Sequence, residues 1–155
     1  TLGPQSPEAA TAIDNLGNVR RATGDFDDAE RLFETALRIR RQALGPNDPD
    51  TAATLNNLAG LYHVQGRLAD AEPVYRASIA ARTEAFGPTD TTAAETLYNL
   101  AHLLRQKGEP EAARQAFETA LKILEEAYGA ADPFVGEIRK ALAGLDPNGR
   151  SGSLP

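Results

Sequence analysis

Apolar residues recur along this chain at helical spacing and are interrupted by short gaps rich in glycine, proline and aspartate. Leu55, Leu58, Ala59 and Tyr62 stand at i, i+3, i+4 and i+7, which places them on one face of a helix. The pattern then repeats. Leu2-Gly3-Pro4, Leu44-Gly45-Pro46 and Phe86-Gly87-Pro88 are 42 residues apart, and Tyr128-Gly129-Ala130 falls at the next interval. The same step carries Asn15-Leu16-Gly17 onto Asn57-Leu58-Ala59 and Asn99-Leu100-Ala101. It also carries Gly24 onto Gly66 and Gly108, Ala29 onto Ala71 and Ala113, and Phe33 onto Tyr75 and Phe117.

Each unit holds its own start and stop signals. Ser6-Pro7, Asp48-Pro49, Asp90-Thr91 and Asp132-Pro133 each offer an N-cap oxygen, three of them followed by proline at the first helical position. Gly24, Gly66 and Gly108 close the first helix, since glycine adopts the left-handed conformation that a helix end often takes. A second helix follows, marked by Pro110 in the third unit, and runs to the Leu-Gly-Pro-like signal. Pro73 falls inside the second helix of unit two, where one missing backbone hydrogen bond and a slight kink are expected.

These signals predict an all-α chain with boundaries at 6–47, 48–89 and 90–131 for three helix–turn–helix units. Residues 1–5 read as the tail of a preceding repeat. Residues 132–145 read as a capping helix, with Phe134, Val135, Ile138, Leu142 and Leu145 available to cover the last unit. Residues 146–155, rich in Gly, Ser, Pro and Asn, read as a disordered tail. The sequence has no methionine, so the chain is expected to be a piece of a longer protein or array.

The signature positions spell a known order. The third unit reads Leu97, Leu100, Ala101, Leu104, Gly108, Ala113, Phe117 and Ala120. This resembles the tetratricopeptide repeat (TPR), lengthened from the usual period of about 34 residues. The surplus falls in the second helix, as in the repeats of kinesin light chain and their bacterial relatives, which Leu55 to Ala59 and Ala71 to Tyr75 also resemble. HEAT and armadillo repeats have similar periods, but the Gly–Ala–aromatic–small order fits the tetratricopeptide pattern better. Arg20 departs from it, standing where an aromatic residue is usual. The resemblance implies an α-α superhelix, or solenoid, of three such units plus the capping helix. It also implies a non-catalytic protein-interaction scaffold that holds an extended peptide in a concave groove lined by the first helices.

On that implication one stripe of each first helix faces the groove: Thr11, Asn15, Asn18 and Ala22, then Ala53, Asn57, Gly60 and Val64, then Glu95, Asn99, His102 and Gln106. A neighbouring stripe adds Asp14 and Arg21, Asn56 and His63, and Tyr98 and Arg105. The peptide-binding candidates are therefore Asn15, Asn18, Arg21, Asn56, Asn57, His63, Tyr98, Asn99, His102 and Arg105. In the family the repeated asparagine contacts the peptide main chain, a role its two donors and one acceptor suit. The alternative is that these amides bond between neighbouring repeats. Arg21, His63 and Arg105 share a register and either select acidic segments or form ordinary solvated ion pairs. Tyr98 is the groove aromatic expected to be most exposed, whereas Phe33, Tyr75, Phe117, Phe86 and Tyr128 fall on packing positions.

Composition narrows the function further. The formal charge of −6 argues against nucleic-acid or anionic-membrane partners. No cysteine and only two histidines leave little for a metal centre, and His63 with His102 lacks a third ligand. No phosphate-binding, zinc-protease or nucleophile-elbow motif occurs, so neither a cofactor nor an enzyme is expected. A soluble, cytoplasmic protein with a protein or peptide partner is the reading. Self-association through the first repeat, or service as the regulatory or sensor arm of a larger multidomain protein, is the alternative.

Overall fold

The computed structural model describes residues 3–145. The expected repeat tail at 1–5 lies partly outside the described residues, and the expected disordered segment 146–155 lies wholly outside them. Among the described residues there are seven helices: α1 (Pro7–Thr23), α2 (Phe26–Ala43), α3 (Pro49–Val64), α4 (Leu68–Phe86), α5 (Thr91–Gln106), α6 (Pro110–Tyr128) and α7 (Pro133–Ala143). The first helix of each repeat is termed its A helix and the second its B helix.

The starts form as the residues dictate. The Ser6 hydroxyl accepts from the Ala9 amide, and the Asp48, Asp90 and Asp132 carboxylates cap α3, α5 and α7 in the same manner. At the far ends of the A helices Gly24, Gly66 and Gly108 take φ of 84°, 73° and 78°, a conformation that a side chain would strain. The B helices are the longer members at 18, 19 and 19 residues. Helix α4 runs unbroken through Pro73.

The chain divides between Gly87 and Pro88 into two compact units. In the first, the α1/α2 and α3/α4 hairpins join where α3 packs on α2. In the second, α5 and α6 form a hairpin and α7 lies on α6. Each hairpin is centred on the B-helix aromatic, Phe33, Tyr75 or Phe117, all buried. Burial of each ring contributes about 1.5–3 kcal/mol. Gly17 makes room for the first ring, since a Cβ there would lie 2.7 Å from Phe33. On α7, Val135 and Ile138 are fully buried, and the helix packs on α6.

Two packing expectations fail. Phe86 is 55% exposed and Tyr128 47% exposed, and Leu44, in the same register, is exposed as well. All three stand at the end of a B helix, where the helix outruns the cover of its partners. The Phe86 ring lies under the Arg82 guanidinium instead, and the Tyr128 hydroxyl donates to Glu95. Arg20, at the aromatic position of repeat one, sends its guanidinium outward to Asp25. Its register mates Tyr62 and Leu104 are buried.

Candidate functional site

In the first unit, α1 and α3 present the residues that the stripes single out. Asn15 is exposed, and Asn18, Arg21, Asn57 and His63 are half-buried. Asn18 turns back on its own helix, donating to the Asp14 carbonyl at 3.3 Å. Arg21 crosses to α3 and lies over Gly60, its Nη1 only 3.0 Å from where a Cβ would stand. Below it is the Tyr75 hydroxyl, which His63 Nδ1 approaches to 3.4 Å with the two rings edge to face. Burial pushes the Tyr75 hydroxyl pKa up to about 12, against the opposing pull of Arg21. The ring expected only to pack thus has a polar tip that forms the base of an Arg21–Gly60–His63 patch.

Asn57 has a different neighbour. Its side-chain amide donates to Asp14 Oδ2 at 2.8 Å, crossing from repeat two to repeat one. Asp14 is buried, and its other oxygen stands 3.9 Å from the guanidinium of Arg40, itself only 4% exposed. Arg40 donates to the Asp50 carbonyl and to the hydroxyls of Thr54 and Thr11. A charged network therefore lies in the seam between α1, α2 and α3. Asp14 Oδ1, Arg40 Nε and Asn56 Oδ1 are buried without a hydrogen-bond partner among the described residues. Asp14 belongs to this seam rather than to an open groove wall.

Sequence patterning passes over Arg40, because an arginine on a B helix reads as surface. The period does not settle it: the register of Arg40 holds Arg82 in repeat two and the buried Leu124 in repeat three.

In the second unit the Tyr98 ring is half-buried in an aromatic cluster. It meets His102, Phe117 and Phe134 at centroid distances of 4.5, 5.8 and 4.9 Å, all edge to face. Phe134 comes from α7, so that helix partly covers the aromatic expected to be most open. Burial raises the Tyr98 hydroxyl pKa, reinforced by the charge of Glu137. Arg105 Nη2 donates to His102 Nδ1 at 3.1 Å, which makes that nitrogen the acceptor because a guanidinium has no lone pair to offer. Asn99, His102 and Arg105 are all half-buried on this face of α5.

Among the described residues no group of three or more His, Cys, Asp or Glu side chains is placed to hold a metal ion. None of the helices is long and apolar enough to cross a membrane.

The comparisons with known proteins bear on the fold. The family model described as tetratricopeptide repeat matches residues 7–84, 50–126 and 92–145. Among solved structures, the nearly identical TPR-like repeats of a kinesin light chain of Podosopora anserina superpose with a TM-score of 0.79 at 18% identity, over 89% of this chain. The chain spans 65% of that structure's length. BtubC (BKLC) of P. vanneervenii gives a TM-score of 0.71 at 21% identity, over 97% of this chain and 71% of that one. The N-terminal domain of stress-induced protein-1 of C. elegans gives 0.67 at 19% identity, over 88% and 96%. At such identities the likeness is one of fold. No curated protein matches the sequence.

Proposed function

The chain belongs to the tetratricopeptide-repeat family, and on that premise we propose that it is a protein-binding module that takes an extended peptide segment of a partner against its A-helix faces. Solenoid repeats of this kind work by presenting such surfaces to partners. The observation that carries the reading is the state of two arginines. Arg21 and Arg105 are half-buried on the A-helix face of their own units, and neither is paired with a carboxylate among the described residues. A partly desolvated guanidinium without a counter-charge favours a ligand carboxylate, through a charge-assisted hydrogen bond. In the first unit Arg21 shares its face with the exposed amide of Asn15 and the ring of His63, and in the second Arg105 shares its face with the amide of Asn99 and the rings of Tyr98 and His102, amides being suited to a peptide main chain. In this reading the partner is a protein, neither nucleic acid nor membrane, and no cofactor or catalytic step enters.

The test is binding of the whole chain to an array of short extended peptides that samples acidic, basic and apolar sequences. Asn15→Ala, Arg21→Ala and Arg105→Ala remove accessible groups and should leave the helical circular dichroism unchanged. We expect the parent chain to bind a subset enriched in Asp and Glu, and each variant to bind it more weakly. If the folded variants bind as the parent does, or if the parent binds no peptide, the A-helix faces are not the binding surface.

A further inference from the structure

The Arg21 guanidinium lies over the backbone of the next A helix, with Nη1 3.0 Å from the place a Cβ of Gly60 would take. The register shows why it fits. The position of Gly60 is Asn18 in the first repeat and His102 in the third, so of the three repeats the second leaves the helix face bare. The Tyr75 hydroxyl stands 3.7 Å from the same Cβ place, and His63 Nδ1 is 3.4 Å from that hydroxyl. Arg21 from α1, His63 from α3 and Tyr75 from α4 thus converge on one spot of the first unit.

The donors at that spot are uncommitted where their neighbours are not. Asn57 is bound to Asp14, and Asn18 to its own helix. Asp14 is buried and faces Arg40. Arg21 has no carboxylate partner among the described residues. Arg105, its register mate in the second unit, is instead spent on the ring of His102. Burial keeps the Tyr75 phenol protonated, so its hydroxyl serves as donor to His63 Nδ1. That bond sets the tautomer, because a neutral imidazole accepting at Nδ1 carries its proton on Nε2. The Arg21 fork and the His63 Nε2–H are then two donors on separate helices, neither with an acceptor among the described residues.

We propose that Arg21 and His63, with Tyr75 positioning the imidazole, form a subsite for the phosphate monoester of a phosphorylated serine or threonine in the bound peptide. The proposal rests on the peptide-binding reading above and narrows it to one ligand group. Shape decides between phosphate and carboxylate. A carboxylate is planar, and its two oxygens are satisfied by a single guanidinium fork. A phosphate monoester has three oxygens that do not lie in one plane and about −1.5 to −2 charge at pH 7. It can therefore meet the fork and an N–H arriving from a second helix at once. Val64, 63% exposed and one turn beyond Gly60, adds an apolar contact open to a peptide but useless to free phosphate.

The experiment titrates the whole chain with short peptides, each made with Ser, Asp or phosphoserine at its centre, and with inorganic phosphate alone. We expect the phosphoserine peptides to bind at least about tenfold more tightly than their Asp counterparts. They should also shift the NMR signals of the Arg21 side chain and the His63 ring. Arg21→Ala should bring phosphoserine and Asp peptides to equal affinity, with the helical circular dichroism unchanged. Tyr75→Phe keeps the buried ring, and should lessen the preference while altering the His63 ring-nitrogen shifts that report its tautomer. Equal binding of phosphoserine and Asp peptides by the parent chain overturns the proposal and leaves the acidic-peptide reading standing. If no peptide binds, both fall. The proposal also fails if inorganic phosphate shifts Arg21 and His63 as strongly as the phosphopeptides do at equal concentration, because the ligand is then free phosphate.

Discussion

The side-chain amide of Asn57 donates to Asp14 Oδ2 across 2.8 Å, and so ties the second A helix to the first. One member of the repeated asparagine set therefore does inter-repeat work, while Asn15 in the same register is exposed. Asn57→Ala should cost about 1–3 kcal/mol, because it strips a buried carboxylate of its direct donor. Asn15→Ala should change stability by less than about 0.5 kcal/mol. Chemical denaturation of the two variants side by side measures the difference, and equal losses would remove the structural role assigned to Asn57.

Arg40 offers a sharper test of the same seam. Arg40→Met leaves Asp14 buried opposite an apolar chain and should destabilise by about 3 kcal/mol. Adding Asp14→Asn removes the uncompensated charge, so the double variant should recover part of that loss. A double-mutant cycle by urea unfolding reads the coupling directly. Simple additivity would show that the two groups, 3.9 Å apart, do not act together.

Two helical glycines should respond to alanine with opposite signs. At Gly17 the new methyl would stand 2.7 Å from the fully buried Phe33 ring, which cannot yield, and a loss of about 1–3 kcal/mol is expected. At Gly60 the obstacle is the tip of Arg21, a flexible side chain. Gly60→Ala should therefore gain up to about 1 kcal/mol from helix propensity while pushing Arg21 off its place. Thermal melts give the signs. Weaker binding of acidic peptides by a stabilised Gly60→Ala would mark the displaced guanidinium.

Tyr75 sets an alkaline limit. Burial raises its hydroxyl from 10.0 to about 12, so folding favours the neutral phenol. A raised folded pKa contributes stability that is complete below about pH 10 and is lost as pH climbs toward about 12. Melting temperature should accordingly fall across that window, and Tyr75→Phe should lessen the fall. Tyr62, also raised to about 12 chiefly by burial, shares the window and should leave a residual loss. An unaltered alkaline decline in a Tyr75→Phe/Tyr62→Phe double variant would mean that other groups govern it.

The sequence by itself determined the architecture of this protein, because helix signals are local. Ser6, Asp48, Asp90 and Asp132 cap the helices they were expected to start, and Gly24, Gly66 and Gly108 turn where left-handed backbone is needed. The period located the core rings Phe33, Tyr75 and Phe117 for the same reason, since burial at helical spacing repeats with the helix. Only the tertiary structure decided which polar groups are open and which are engaged. Asn57 and Asn15 are identical in register, yet only Asn57 has Asp14 within reach. Tyr98 reads as an exposed groove aromatic until α7 brings Phe134 against it. Phe86 reads as core until the end of its helix is seen to lack a cover. In each case the answer depends on a neighbour from another element, and periodicity within one helix carries no information about what stands opposite.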